Sequence, residues 1–171
     1  MFILVALLLT LSPLEEAFFT IKKVPECHTL LMQIENEGRI RVVEAFNTPF
    51  EAQWSPDTRT VEVDVSKHTG MGHLITSIVF ELHNALSNNR LEYLYTQASS
   101  KKIPREAFVR KIEQMEWKNW EAASLLLAKG RERGIFPQDA HLPTFKTFGN
   151  YLLIQKQMGH SQYHAQSYDL L

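Results

Sequence analysis

Residues 71–88 read MGHLITSIVFELHNALSN, and Met71, Leu74, Ile75, Ile78, Val79, Leu82, Ala85 and Leu86 gather on one side of a helix at about 100° per residue. The spacing predicts a core helix. On its other half Ser77, Phe80, Glu81, Asn84 and Asn88 form a polar stripe with one aromatic in it. A phenylalanine in a solvated stripe would be exposed without gain, so the stripe is expected to face a second surface, either a cleft or another packed element.

Upstream of this helix the period is two. Thr60 to Val65 alternates as TVEVDV, Arg39 to Phe46 is rich in Val and Ile, and both read as strands. Ser55-Pro56-Asp57-Thr58 suits a turn, so Glu51 to Trp54 and Thr60 to Val65 are expected to pair as a hairpin. Pro25 to Glu37 reads as a short helix with Leu30, Leu31 and Ile34 inward and Gly38 at its end. Downstream, Asn88-Asn89 interrupts the core helix, and a shorter segment carries Leu91, Leu94 and Tyr95. The longest helix is expected to begin at Pro104, with Phe108, Ile112, Met115, Ala122 and Leu126 on one face as far as Gly130. A further helix is expected around Phe145, Phe148, Tyr151 and Leu152, then a polar tail over 159–171. The fold class is α+β: a small antiparallel sheet packed on a helical majority, in one domain over 25–158.

Composition narrows the function. A chain of 171 residues, 44% hydrophobic, supplies one core. Lys and Arg total 18 against 19 Asp and Glu, a net charge of −1, which leaves no basic excess for nucleic acid. Cys27 is the single cysteine, so neither an intramolecular disulfide nor a multi-cysteine metal cluster can form. Residues 2–11 are an uninterrupted apolar run of signal-peptide length, too short for the ~20 residues of a membrane span. Residues 1–17 are expected to be a leader cut after Ala17, which implies an exported, secreted or periplasmic protein. The alternatives are a buried first helix or an internal segment, with a cytoplasmic location. No transmembrane span is expected beyond this segment.

The order of strand hairpin, loop and helix, together with Phe80-Glu81-Leu82-His83-Asn84-Ala85, resembles the zincin metallopeptidases, whose helix carries His-Glu-x-x-His. In that motif two imidazoles one turn apart hold zinc and the intervening Glu acts on the bound water. Carried over position by position, Phe80 matches the first His, Glu81 the general base and Asn84 the second His. The resemblance covers roughly residues 50–120. It implies that Thr60 to Val65, with Val63, is the edge strand that binds extended peptide. It also implies that Glu113 or Glu116 on the long helix stands where such proteins complete the metal site. Phenylalanine has no lone pair and an amide oxygen is a poor zinc ligand, so the expectation is no cofactor, with zinc as the alternative.

The function that follows is a non-catalytic, metallopeptidase-like domain, a pseudoenzyme rather than a peptidase. It would bind a peptide or protein segment in a former cleft formed by Phe80, Asn84, Ser77, Val63, Glu113 and Glu116. One rival is a hydrolase with Glu81 as catalytic base and ligands drawn from His73, His83, Glu113 or Glu116. The other is a structural protein assembling through the faces of Phe108 and Leu126.

Several residues carry their own expectations. His83 reads as a boundary histidine, and Glu113 and Glu116, between Lys111 and Lys118, read as a solvated face. Asn119 falls in the apolar face of its helix, so its amide must find partners and is expected to tie that helix to the central one, through Glu81. His160 and His164 have the spacing of two ligands on a helix, but the surrounding Gly, Ser and Gln predict a flexible tail. Trp117, Trp120, Phe145 and Phe148 read as packing rather than a binding surface.

Overall fold

The structure, a computed structural model, describes residues 11–171. Helices α1 (Pro13–Lys22) and α2 (Pro25–Glu35) precede strands β1 (Arg41–Glu44), β2 (Ala52–Ser55) and β3 (Thr60–Val63). Then come α3 (Met71–Leu86), α4 (Asn88–Ser99), α5 (Arg105–Glu132), α6 (Phe148–Gln157) and α7 (His160–Asp169). The α+β class holds, with helices in the majority.

The core helix lies where the period places it. Leu74, Ile75, Ile78, Val79, Leu82 and Ala85 are buried, and α1, α2, α5, β2 and β3 all pack against α3. The expected hairpin forms, with Trp54 opposite Val61 and Ala52 opposite Val63 in the antiparallel β2·β3 pair. The sheet itself is mixed, because β1 runs parallel to β3 and the strand order is β1-β3-β2. This corrects two expectations. The sheet is not wholly antiparallel, and β3 is its centre rather than an edge, so Thr60–Val63 has both sides paired and cannot accept a peptide strand, while Val65 lies beyond the strand in a short helical turn. Val63 is fully buried in the core and lines no cleft.

The folded unit starts earlier than residue 25. Ser12 caps α1 by accepting from the Glu15 N–H while Glu15 reaches back to the Ser12 N–H, and Leu14, Ala17 and Ile21 enter the core. The leader proposed for residues 1–17 lies, up to Thr10, outside the described residues, and the cut after Ala17 falls inside α1. Glu26 in the first turn of α2 pairs with Arg133 and Lys129 at the end of α5, joining the two helices at the surface. Cys27 is buried, and burial pushes its thiol up to about 12, so it is inert packing.

Gly130 shows how tightly α5 closes. The chain folds back so that the N–H groups of Ile135 and Phe136 both donate to the Gly130 carbonyl, and the buried Phe136 ring lies where a Cβ on residue 130 would fall. Alanine favours a helix over glycine by about 1 kcal/mol, but overpacking a buried ring costs roughly 1–3 kcal/mol. Gly130→Ala is therefore expected to lower the urea midpoint. A raised midpoint would mean that the ring has room to move.

Candidate metal centre

Four helices bring polar side chains together inside the helical layer. Glu113 and Glu116 are one turn apart on α5 and both buried, which corrects the reading of them as a solvated face. They are covered by α7, the segment expected to be a flexible tail. It is a helix with Ser161, His164 and Ala165 buried, begun at Gly159, whose φ of +83° lies in the left-handed region that glycine adopts without strain. His160 and His164, one turn apart, both face α5. The buried face of α7 is polar, and its partners are carboxylates.

The geometry is close. His160 Nδ1 lies 3.3 Å from Glu113 Oε1 and its Nε2 lies 3.5 Å from Glu116 Oε2. The Ser161 hydroxyl donates to Glu113 Oε1 at 2.6 Å. His164 Nε2 stands 3.4 Å from Glu116 Oε1, within ion-pair range but without hydrogen-bond geometry. One ligand atom each from Glu113, His160 and His164 falls within 4.8 Å of the others. Both nitrogens of His164 and Oε2 of Glu113 are buried with no hydrogen-bond partner among the described residues. Glu113 is 0% and His164 7% exposed, so these unpaired atoms are well shielded from solvent. Buried polar atoms left in this state are uncommon and call for an explanation such as an ion.

Electrostatics extend the cluster to α3 and α6. Burial pushes the Glu81 carboxyl up to about 8, helped by the charge of Glu116, against the opposing pull of the Asn84 amide, the backbone N–H of Trp54 and His160. Burial also works to raise Glu116, but contact with His164 and the charges of both histidines hold it below the usual carboxylate range. His160 is raised although burial opposes this, because the hydrogen bond to Glu113 and the charges of Glu116, Glu113 and Glu81 favour its cation. Tyr151 on α6, 1% exposed, is raised by burial and by the charges of Glu116, Glu113 and Glu81.

Glu81 is held by a chain of side-chain amides. Asn84 Nδ2 donates to Glu81 Oε2 at 3.0 Å, Asn119 Nδ2 donates to Asn84 Oδ1 at 2.9 Å, and the Ser87 hydroxyl donates to Asn119 Oδ1 at 2.9 Å. The amide on the apolar face of α5 thus ties that helix to α3, and it reaches Glu81 through Asn84. Compared with family models, with curated proteins and with solved structures, the chain matches none. The zincin resemblance therefore rests on its own residues.

The other expected cleft residues are scattered. Phe80 packs edge-on against Trp120 of α5 at 5.5 Å, inside an aromatic group with Phe145 and Tyr151, so the second surface facing the stripe is a packed helix at this point. Trp117 packs against Phe148 with the two rings tilted at 38°, as the packing reading expects. Ser77 is half-buried and makes no side-chain hydrogen bond among the described residues. His83 is a boundary residue whose imidazole burial pushes down to about 4, so it is neutral in the fold. Phe108 is buried against Leu94, Ala98 and Ile112, so the face proposed for assembly is covered within the chain. His73 pairs with Glu51 at 2.9 Å, at the far end of α3.

Sequence reasoning had both halves of the centre, the paired acids of α5 and the paired histidines of α7, and did not join them. The joining signal was spacing alone: Glu-x-x-Glu and His-x-x-x-His each place two donors on one helix face. No pattern pointed to Tyr151 or Ser161.

Proposed function

We propose that the protein is a metal-dependent hydrolase in which Glu113, His160 and His164 hold a divalent first-row ion, with Glu116 beside both imidazoles and Glu81 as the proton-handling residue. The observation that carries this is the convergence of three ligand atoms within 4.8 Å, with both His164 nitrogens and Glu113 Oε2 buried and without a hydrogen bond among the described residues. Two imidazoles and one carboxylate suit zinc and ferrous iron better than magnesium or calcium, which prefer oxygen alone. Such an ion would supply Lewis acidity at neutral pH.

The protein residues divide the remaining work. Ser161 donates to one Glu113 oxygen and so orients the other, a typical outer-shell role. The Asn84, Asn119 and Ser87 chain fixes the Glu81 carboxyl, and a carboxyl that exchanges its proton near neutral pH can both give and take one. His160 must give up its proton to act as a ligand, so loading is expected to release protons and to weaken as pH falls.

The test is metal content by mass spectrometry after zinc loading and desalting, read beside hydrolysis of mixed peptide and ester substrates. At this centre about one ion per chain is expected to survive desalting, lost in His164→Ala and kept in Glu81→Gln, with hydrolysis lost in both. A folded wild type that retains no ion would refute the centre. Retained hydrolysis in Glu81→Gln would refute its proton-handling role.

A second reading keeps the non-catalytic peptide-binding domain, but moves it from the central β3 to β1. One side of β1 has no strand partner among the described residues, and it borders a groove of about 510 Å³ lined by Phe18, Lys22, Leu31, Met32 and Val43. Strand addition there would leave the buried centre untouched.

A further inference from the structure

We infer that Glu51, His68 and His73 form a second, half-exposed site for a divalent transition metal, separate from the buried centre. One ligand atom from each falls within 4.8 Å of the others. They come from three segments: the residue before β2, the turn after β3 and the first turn of α3. Their convergence is therefore made by the tertiary fold rather than by neighbouring positions on one helix.

The His68 tautomer favours an ion. His68 Nδ1 lies 2.9 Å from the Asp64 carbonyl oxygen, which can only accept, so Nδ1 carries the hydrogen and Nε2 is left with its lone pair. That Nε2 is buried and has no partner among the described residues. A ligating histidine commonly donates its other N–H to a backbone carbonyl in this manner. The His68 and His73 rings lie 4.9 Å apart, and His73 Nε2 sits 2.9 Å from Glu51 Oε2. His73 Nδ1 accepts from the Thr69 N–H at 3.5 Å, so without an ion Nε2 carries the hydrogen that Glu51 accepts, and an ion bound between them would take the place of that proton. Lys67, next to His68 in the chain, is engaged by Asp64 and by the carbonyls of Thr48 and Phe50. Two imidazoles and a carboxylate that are partly open to solvent leave positions for water or a further ligand.

The position has a consequence for the buried centre. Glu51 follows Phe50, whose ring lies 5.2 Å from that of His160 and 5.2 Å from that of Tyr163 on α7. An ion that ties Glu51 to α3 also fixes the segment that covers His160.

Zinc titration of the full chain by calorimetry, with hydrogen exchange of residues 47–51, tests this. Two binding events are expected in the wild type. His73→Ala and Glu51→Gln, both at exposed or half-exposed positions, should weaken one event at least about tenfold and leave the other unchanged. Zinc should slow exchange over 47–51 in the wild type and not in His73→Ala. If His73→Ala and Glu51→Gln titrate like the wild type, the second site is refuted, whatever the state of the buried centre. If instead a single event is seen that His73→Ala removes and His164→Ala spares, this site stands and the buried centre fails. Unchanged exchange over 47–51 in the zinc-loaded wild type would refute the tie to the Phe50 segment.

Discussion

Glu113→Ala is expected to lower the unfolding free energy of the metal-free protein by roughly 3–5 kcal/mol, the range for removing one partner of a buried ion pair. Glu113 is fully buried and holds α7 to α5 through two contacts, the Ser161 hydroxyl at 2.6 Å and His160 Nδ1 at 3.3 Å. Truncation leaves the hydroxyl and the imidazole facing a cavity, and both need a partner where water has little access. The loss should be local first, because α7 has few apolar side chains to keep it docked. Amides of 160–169 should then exchange faster than those of α3. The double variant Glu113→Ala/His160→Ala separates the pair from the cavity. Removing the stranded imidazole should recover part of the loss, giving a coupling of about 1–3 kcal/mol in urea unfolding. Additive losses would mean that Glu113 matters only as volume.

What the sequence made legible follows from what hydrophobic periodicity can detect. Residues 71–86 have a wide apolar face, and α3 lies where that face predicts, with the β2·β3 hairpin upstream of it. Asn119 was legible for the opposite reason, since an amide among apolar positions must be satisfied and Asn84 is the partner. Phe80 signalled a second surface correctly, and the surface is Trp120 on α5. The parallel β1·β3 pairing was hidden because alternation sets which face a residue occupies and says nothing of strand direction. The metal centre was hidden because α5 and α7 bury polar residues against each other. Neither helix shows that contact as an apolar stripe, and polarity in HSQYHAQ reads as solvation when its carboxylate partners lie some 45 residues earlier.

Glu81→Gln should alter the pH dependence of stability more than any other single substitution. The fold raises the Glu81 carboxyl from 4.5 to about 8, so between those values the folded state holds a proton that the unfolded chain releases. Stability from this group is complete below about pH 4.5 and is lost as pH rises through 8. At about 1.4 kcal/mol per unit the full loss is on the order of 5 kcal/mol. His83 acts in the opposite direction. Its imidazole is lowered from 6.5 to about 4, so its contribution is lost as pH falls from 6.5 toward 4, on the order of 3 kcal/mol. The two nearly cancel between pH 4.5 and 6.5, and above 6.5 the Glu81 loss, about 2 kcal/mol of it, is unopposed. His160, raised above 6.5, adds to that fall. The wild-type profile therefore shows a plateau and then a decline, whereas the variant, with no proton to lose at position 81, rises with the His83 contribution to pH 6.5 and then falls by that of His160. Urea unfolding in chelator, to keep ions from lowering the carboxyl, should show the variant gaining on the wild type by about 3–5 kcal/mol from pH 4.5 to 8. A constant difference across that range would mean that Glu81 is ionised in the fold. It would then have no proton to exchange near neutrality, and its part in the proposed chemistry would fail on stability data alone, without an assay of activity.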